Sequence, residues 1–140
     1  MSFLERVRTA TLHNADHYRP LRVGGEIVGY IKSVVEEVLR EGPPIFSFDA
    51  AEIEFLPEFE PEALRSRALN SVLPRLREAG FARAEVGELF DVAASLGGTP
   101  RLTVDRSAVE AFGFITCGFH LNGIVGEEMW IARRSLTKPT

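Results

Sequence analysis

The chain has 140 residues, 45% of them hydrophobic, and a formal net charge of −4 at pH 7, so it can bury one domain core but offers no large positive field. These values argue against nucleic acid and membranes as partners, and no apolar run reaches the roughly 18 residues that cross a bilayer. Its single cysteine, Cys117, cannot form an internal disulfide and is expected to be a small packed thiol in a cytosolic protein.

Helical and strand-like patterns follow one another through the first third of the chain. Residues 2–14 are predicted to form an amphipathic helix whose apolar stripe faces a core. Gly24 and Gly25 separate two short runs of β-forming residues and predict a hairpin, because glycine adopts the positive φ that a tight turn needs. The apolar stripe over residues 31–39 predicts a helix that ends at Gly42.

The middle of the chain combines strands with a second helical stretch. Apolar and acidic residues nearly alternate over residues 45–62, which is typical of half-buried strands. The helical stripe over residues 64–79 contains Pro74, which removes a backbone donor and should kink or divide the helix. Residues 89–92 are predicted to form a strand.

The last third is predicted to be mainly β. Ser107 and Glu110 have the spacing of a capping box and predict a short helix that ends at Gly113. Two or three strands are expected between residues 114 and 134. Because helices and strands interleave irregularly, the sequence predicts an α+β (mixed α/β) domain with a small sheet and three to four helices.

The strand predicted at residues 129–131 has the composition of a core strand. Only residues 135–140 remain after Arg133 and Arg134 to cover it, so the sequence is expected to be a fragment of something longer. Side chains alternate along a strand, which places Arg134 on the face of Trp130 and Arg133 on the opposite face.

Candidate ligand-binding residues are few. The acidic stretch at 49–62 contains no compact metal-binding motif, and the histidines His13, His17 and His120 are not at metal-ligand spacings. His120 and Asn122 are two residues apart and share one face of a predicted strand, where they could present donors to a ligand. The alternative is that His120 is structural and ties two segments together.

Part of the sequence resembles the joining region of a Nudix hydrolase subfamily. The resemblance is carried by Phe-Gly-Phe at 112–114, Gly-Phe-His-Leu-Asn-Gly at 118–123, Met-Trp-Ile-Ala-Arg-Arg-Ser at 129–135, and Lys138. The best-known members of this subfamily are the Nudix halves of fungal thiamine pyrophosphokinase fusion proteins and their plant and bacterial relatives. The resemblance implies that residues 1–112 form the domain preceding the Nudix domain, and that residues 113–140 are the first strands of a Nudix fold, ending before the catalytic Nudix box.

The same resemblance implies a function. Members of the subfamily cleave a diphosphate to a monophosphate with Mg²⁺, and their implied substrates are damaged thiamine diphosphates or, as an alternative, oxidised nucleoside diphosphates. No catalytic residue and no metal ligand is implied within this chain. The residues that fall where the resemblance allows substrate contact are Arg134, Arg133, Lys138, His120 and Asn122.

One earlier segment imitates the Nudix box without completing it. Residues 32–39 include Glu36 and Glu37 on a predicted helix, and glutamates on one helix can bind the divalent ions that activate water. Ser33 stands where a metal-binding glutamate is needed, and Leu39 where the turn glycine is needed. The segment is therefore expected to be a core-packed helix with a solvated acidic face.

Two classes of function stay open at this point. The first is the leading part of a Mg²⁺-dependent Nudix hydrolase that acts on a small-molecule diphosphate, with the 140 residues inactive alone. The second is a non-enzymatic binding or dimerisation module, formed by residues 1 to about 112, that shapes a pocket or a homodimer interface.

Overall fold

The computed structural model describes residues 2–12, 14–118 and 121–131. It confirms the α+β class, with short helices beside small sheets. The helices are α1 (Phe3–Thr11), α2 (Ser33–Arg40), α3 (Glu62–Ser71) and α4 (Leu73–Glu78). The strands are β1 (Tyr18–Val23), β2 (Glu26–Lys32), β3 (Phe46–Phe48), β4 (Ile53–Phe55), β5 (Leu89–Val92), β6 (Leu102–Asp105), β7 (Gly123–Val125) and β8 (Glu128–Trp130).

The largest sheet has four strands in the order β2-β1-β4-β3. The predicted hairpin at its start is confirmed: β1 and β2 are antiparallel, and Gly24 and Gly25 have φ of 59° and 80° in the turn between them. The stretch of alternating apolar and acidic residues forms strands as expected, since β3 pairs with β4. Strand β4 then pairs in parallel with β1, which the sequence analysis did not anticipate.

Helices α2, α3 and α4 bury apolar residues in the same core as this sheet. The helix predicted from residues 31–39 is confirmed as α2, although Ile31 belongs to β2. Pro74 divides the second predicted helix as expected: α3 ends at Ser71, and α4 begins at Leu73 with the proline in its first turn. No helix in the described ranges is long and apolar enough to cross a membrane.

Strand β6 was not predicted, and it joins β5 to α3. Its backbone pairs with β5, and two polar side chains of α3 bind its groups on the other side. Ser66 accepts from the Thr103 N–H at 2.8 Å, while Asn70 donates to the Thr103 carbonyl at 3.1 Å and accepts from the Asp105 N–H at 3.0 Å. Ser66 and Asn70 are one helical turn apart, so both side chains face β6. They form the hydrogen bonds with the backbone of β6 that a third strand would otherwise form.

The capping box predicted from Ser107 and Glu110 is wrong, because the capping residue is Asp105 at the end of β6. Its carboxylate accepts from the Ser107 N–H at 2.9 Å and caps a 3₁₀ turn at Arg106–Ala108, so Ser107 is inside the turn and does not cap it. The same carboxylate accepts from the Gly87 N–H at 2.9 Å. Burial opposes the charged form, but the backbone N–H groups of Ser107, Gly87 and Val86 favour it, so the pKa of Asp105 lies below its ordinary value of 3.8.

This depressed pKa predicts a stability change in acid. A carboxylate whose pKa is lowered by folding stabilises the native state above its unfolded pKa and loses that contribution as the pH falls through the folded value. We expect Asp105→Asn to lower the free energy of unfolding by about 1–3 kcal/mol near pH 7, with the difference from wild type shrinking below about pH 4. Urea unfolding of the wild type and the variant between about pH 7 and pH 3 measures the loss of stability and its dependence on pH. Asp91→Asn, on the exposed side of β5, is the control. A difference independent of pH would contradict this role for Asp105.

Helix α1 forms as predicted, but its environment is not the one expected. Ser2 and Glu5 make a capping box at its start, which satisfies two free backbone N–H groups. Its apolar residues Phe3, Leu4 and Val7 are exposed, so the prediction that this stripe faces a core is wrong. Helical periodicity shows that a helix has an apolar face, but a second element must be present to bury it.

Candidate functional site

The structure describes one of the five residues predicted to contact substrate. His120, Arg133, Arg134 and Lys138 lie outside the described residues. Asn122 is exposed and directly precedes β7. Its side chain is therefore accessible, and its position is set by the hairpin that follows.

That hairpin consists of β7 and β8, which confirms strands in this part of the chain. Gly123 pairs with Trp130, and Ile124 pairs with Met129. A Cβ added at Gly123 would lie 3.6 Å from the Cβ of Trp130, so the glycine leaves room beside the indole. Asn122 directly precedes Gly123, the residue that pairs with Trp130. The Asn122 amide and the Trp130 ring are therefore at the same end of the hairpin.

Both faces of the hairpin carry exposed apolar side chains. Paired residues point to the same side and side chains alternate along each strand, so Val125, Glu128 and Trp130 are on one face, and Ile124 and Met129 on the other. The four apolar residues are exposed, and Trp130 has 73% of its surface accessible. As expected from the sequence, the strand with core composition is short of neighbours, because β7 and β8 form a sheet of two strands with no third strand among the described residues.

The acidic face of α2 is only partly solvated. Glu37 is exposed, but Glu36 has 7% of its surface accessible and accepts from the guanidinium groups of Arg19 and Arg40, each through an Nε at 2.7 Å. Burial disfavours the charged carboxylate, yet the two arginines outweigh it and lower the pKa of Glu36. The expected solvated face is therefore wrong for Glu36, which links α2 to β1.

These contacts also test whether α2 could hold the magnesium ion that the resemblance implies. The Glu36 carboxylate is occupied by two cations, and Ser33 donates to the His17 carbonyl at 3.2 Å. Neither group is arranged as a metal ligand, so the helix does not suit the ion. Elsewhere in the described ranges, no three His, Cys, Asp or Glu side chains are grouped closely enough to bind a metal.

The acidic stretch at 49–62 supports local structure. Asp49 accepts from the N–H groups of Ala51 at 2.6 Å and Glu52 at 2.7 Å, and these bonds hold its pKa below the ordinary value. Glu52 forms an ion pair with Arg22 of β1. The two acids therefore shape the β3–β4 turn and attach it to the neighbouring strand.

Cys117 is exposed, so the expectation of a small packed thiol is wrong. It lies beyond Phe114, the last buried apolar residue that the structure describes. With Phe90 and Arg106, among others, it lines an open cavity of about 820 Å³ beside the segment that leads to the hairpin. The cysteine therefore belongs to the connection between the core and the hairpin.

The residues 112–114 fasten that connection to β2. The Phe112 ring is fully buried and stacks on Phe114, with 5.4 Å between ring centroids. The Phe112 carbonyl accepts from the Tyr30 N–H at 3.0 Å. Gly113 has φ of 59°, and a Cβ there would lie 2.4 Å from the Tyr30 carbonyl oxygen. The close approach of the two backbones thus requires glycine at position 113.

A second cavity of about 600 Å³ lies on the sheet side of the domain, and sequence reasoning did not find it. It is lined by Arg22, Arg65 and Arg101 together with Phe55 and Phe59. The three arginines are widely separated along the chain, and no spacing rule connects them. Their grouping depends on the parallel pairing of β1 with β4 and on the docking of α3 against β6.

The chain matches one family model and is similar in sequence to two plant proteins. Residues 2–116 match the family model described as "Domain of unknown function (DUF4743)". The chain is 28% identical to "Nudix hydrolase 24, chloroplastic" of Arabidopsis thaliana over 99% of the chain and 40% of that protein. It is 32% identical to "Nudix hydrolase 20, chloroplastic" of the same plant over 86% of the chain and 36% of that protein. The chain thus spans about two fifths of the length of these relatives.

Proposed function

Since the chain belongs to the DUF4743 family and is related to plant Nudix hydrolases, we propose that it is the leading part of a Nudix-type pyrophosphohydrolase. Its role is to precede the catalytic domain and to contribute residues to the entrance of the substrate site. The likeness to the Nudix halves of fungal thiamine pyrophosphokinase fusions stays a prediction, as does a cytosolic location. The names of both plant relatives describe them as chloroplastic.

One observation carries the proposal: similarity to a Nudix hydrolase covers 99% of the chain and so continues past residue 116, where the family match ends. The continuation includes the hairpin of β7 and β8, which carries exposed apolar side chains on both faces. A hairpin of two strands is marginally stable in water by itself, so its faces call for a packing partner. From the sequence resemblance, we propose a domain boundary near residue 112, with 113–140 as the first strands of the Nudix fold.

The proposed reaction is Mg²⁺-dependent cleavage of a small-molecule diphosphate to a monophosphate. Damaged thiamine diphosphate is the proposed substrate, and oxidised nucleoside diphosphates are the alternative; both come from the sequence resemblance. The bound ion would polarise the diphosphate and activate water. Because Glu36 of α2 is paired with two arginines, the metal ligands are expected outside the residues described here.

The complete gene product provides the test. We expect it to release monophosphate from oxidised thiamine diphosphate in the presence of Mg²⁺ and to stop when the ion is chelated. The 140-residue chain alone should be silent with thiamine diphosphate, oxidised thiamine diphosphate and ADP-ribose. Release by the 140 residues would refute the assignment of a leading domain, and inactivity of the complete protein on every diphosphate would refute the proposed enzyme class.

The arginine pair gives a sharper prediction within the complete enzyme. Arg134 is expected on the face of Trp130, where it could hold a phosphate or stack on a heteroaromatic ring. We expect Arg134→Ala to lower kcat/KM by roughly ten- to a hundredfold, about 1.4 to 3 kcal/mol, the cost of losing one charge-assisted contact. The matched Arg133→Ala should change it less. Small and equal effects in two folded variants would show that both arginines are solvated charges.

The exposed apolar face of α1 favours the second candidate, a non-enzymatic dimerisation module. Phe3, Leu4 and Val7 present an apolar stripe that an identical helix could cover. Sedimentation velocity of the chain tests this dimerisation. A dimer that Leu4→Asp converts to a monomer would support it, and a wild-type monomer at all accessible concentrations would exclude it.

A further inference from the structure

We propose that the 600 Å³ cavity lined by Arg22, Arg65 and Arg101 binds a small organic phosphate, with the phosphoryl group against the arginines and a ring against Phe55 and Phe59. The inference does not depend on Nudix activity. Every residue that lines the cavity lies between positions 22 and 101, so none belongs to the segment that carries the predicted substrate contacts. Its volume is within the range of small-molecule sites.

Two of the three guanidinium groups are oriented by carboxylates. Arg22 binds Glu52 through Nε and donates from Nη1 to the Gly25 carbonyl at 2.6 Å. Arg101 binds Glu26 through Nε, at 2.8 Å, and through Nη2. Each keeps one terminal amino group, Nη2 of Arg22 and Nη1 of Arg101, that has no acceptor among the described residues. The guanidinium group of each arginine is therefore held in place, and one of its terminal amino groups can still donate to a ligand.

Arg65 is held differently, and its charge is the important one. Its Nε donates to the Arg101 carbonyl at 2.9 Å, and its Nη1 donates to the carbonyls of Phe59, at 3.3 Å, and Glu60. No carboxylate in the described part of the chain forms an ion pair with it. Arg65 is half-buried, so its positive charge is only partly solvated. An anion in the cavity would supply the missing counter-charge.

A phosphoryl group suits this donor set better than a carboxylate does. It offers three terminal oxygens, one for each guanidinium, and arginine forks match its geometry. The half-buried rings of Phe55 and Phe59 add an apolar wall. Glu54 and Glu60 line the same cavity and are exposed. These acids oppose every negative charge in the cavity and accept from N–H groups, so the cavity favours a ligand with a single phosphate and a ring that carries donors over a ligand with more phosphates.

The test is a titration of the ¹⁵N-labelled 140-residue chain with phenyl phosphate at low ionic strength, followed by amide shifts. We expect saturable shifts around Gly24, Gly25 and Phe59, with a Kd of about 0.1–1 mM. Benzoate should bind at least about fivefold more weakly, since it has two oxygens and one charge. Absence of saturation with phenyl phosphate up to about ten times that Kd would overturn the site, and equal affinity for benzoate would overturn the phosphate class.

Variants locate the site. Arg22→Gln and Arg101→Gln should each raise the Kd for phenyl phosphate about tenfold. Arg106→Gln changes the protein charge equally, removes a similar surface ion pair with Glu88 and lines the other cavity, so it should change the Kd by less than about twofold. An equal effect of Arg106→Gln would mean binding elsewhere or by net charge, and would overturn the proposal.

Arg65 supplies a second readout that a purely structural role would not give. Arg65→Lys keeps the charge but replaces the planar fork with a single ammonium group. Where the amide spectrum of this variant keeps the native dispersion, we expect weaker phenyl phosphate binding than in wild type. If Arg65→Lys does not fold, the decision rests on Arg22→Gln and Arg101→Gln, whose side chains are about one third accessible. Native affinity in both of these folded variants would overturn the proposal.

Discussion

Leu39→Asp should abolish the stable fold. Leu39 lies on the inner face of α2 and has 3% of its surface accessible, so the new carboxylate would be buried without a partner. Such a group costs about 4 kcal/mol or more, which is most of the stability of an ordinary domain of this size. We expect loss of soluble expression or, where protein is recovered, loss of the cooperative unfolding transition.

The same helix provides graded controls. Val34, with 48% of its surface accessible, should tolerate aspartate with a change of about 1 kcal/mol or less. Val38 is only partly buried, so Val38→Asp should fall between the two. Melting temperatures in the order Val34→Asp, Val38→Asp, Leu39→Asp, from highest to lowest, would confirm the orientation of α2. Equal melting temperatures would show that the helix does not pack as described.

Gly113→Ala should destabilise the protein strongly, although it adds a single methyl group. It would place a Cβ 2.4 Å from the Tyr30 carbonyl oxygen and 3.1 Å from the Tyr30 nitrogen, at a residue whose φ is 59°. The left-handed conformation costs alanine about 1–2 kcal/mol, and the backbone clash adds a similar or larger amount. We expect the free energy of unfolding to fall by about 3 kcal/mol, measured by urea denaturation.

Gly24→Ala is the control that separates the cost of the left-handed conformation from the cost of the backbone clash. Gly24 has the same φ of 59° in the β1–β2 turn, but no atom lies within 4 Å of an added Cβ. It should therefore lose only the conformational part, about 1–2 kcal/mol. If the two variants were equally stable, the close approach of Gly113 to β2 would not exist in solution.

Signals that act over a few residues predicted the fold well. Gly24 and Gly25 specified the hairpin because a two-residue turn needs positive φ, and Pro74 specified the break between α3 and α4 because it lacks a donor. The outcome in each case depends on the backbone of the residue itself. Such features can be inferred before any tertiary contact is known.

Features that depend on distant partners could not be predicted. Strand β6 is stabilised by Ser66 and Asn70 of α3, more than thirty residues earlier, and no pattern within its own four residues announces them. Glu36 is buried because the fold brings Arg19 of β1 beside it. The apolar stripe of α1 showed the opposite error, since its periodicity is real but Phe3 and Leu4 on that stripe are exposed.

The candidate sites divide in the same way. Short motifs that resemble Nudix proteins made Asn122 a predicted contact residue and predicted strands in this region, without indicating the exposure of Trp130. The cavity of Arg22, Arg65 and Arg101 has no sequence motif, because Arg22 is in β1, Arg65 is in α3 and Arg101 directly precedes β6. Arginines at such separations become informative only after the strand order and the docking of α3 are known.

The bond from Tyr30 to Phe112 has a consequence for self-association. Strand β2 is at the border of the four-stranded sheet, where unpaired N–H and C=O groups can recruit a strand from another molecule. The Phe112 carbonyl occupies the middle of that border, at Tyr30, and Gly113 brings the backbone close enough to shield it. Any change that detaches residues 112–114 therefore exposes the edge of β2, which can then pair with a strand of another molecule. Such variants should form intermolecular β-structure and precipitate at temperatures where the rest of the sheet is still intact.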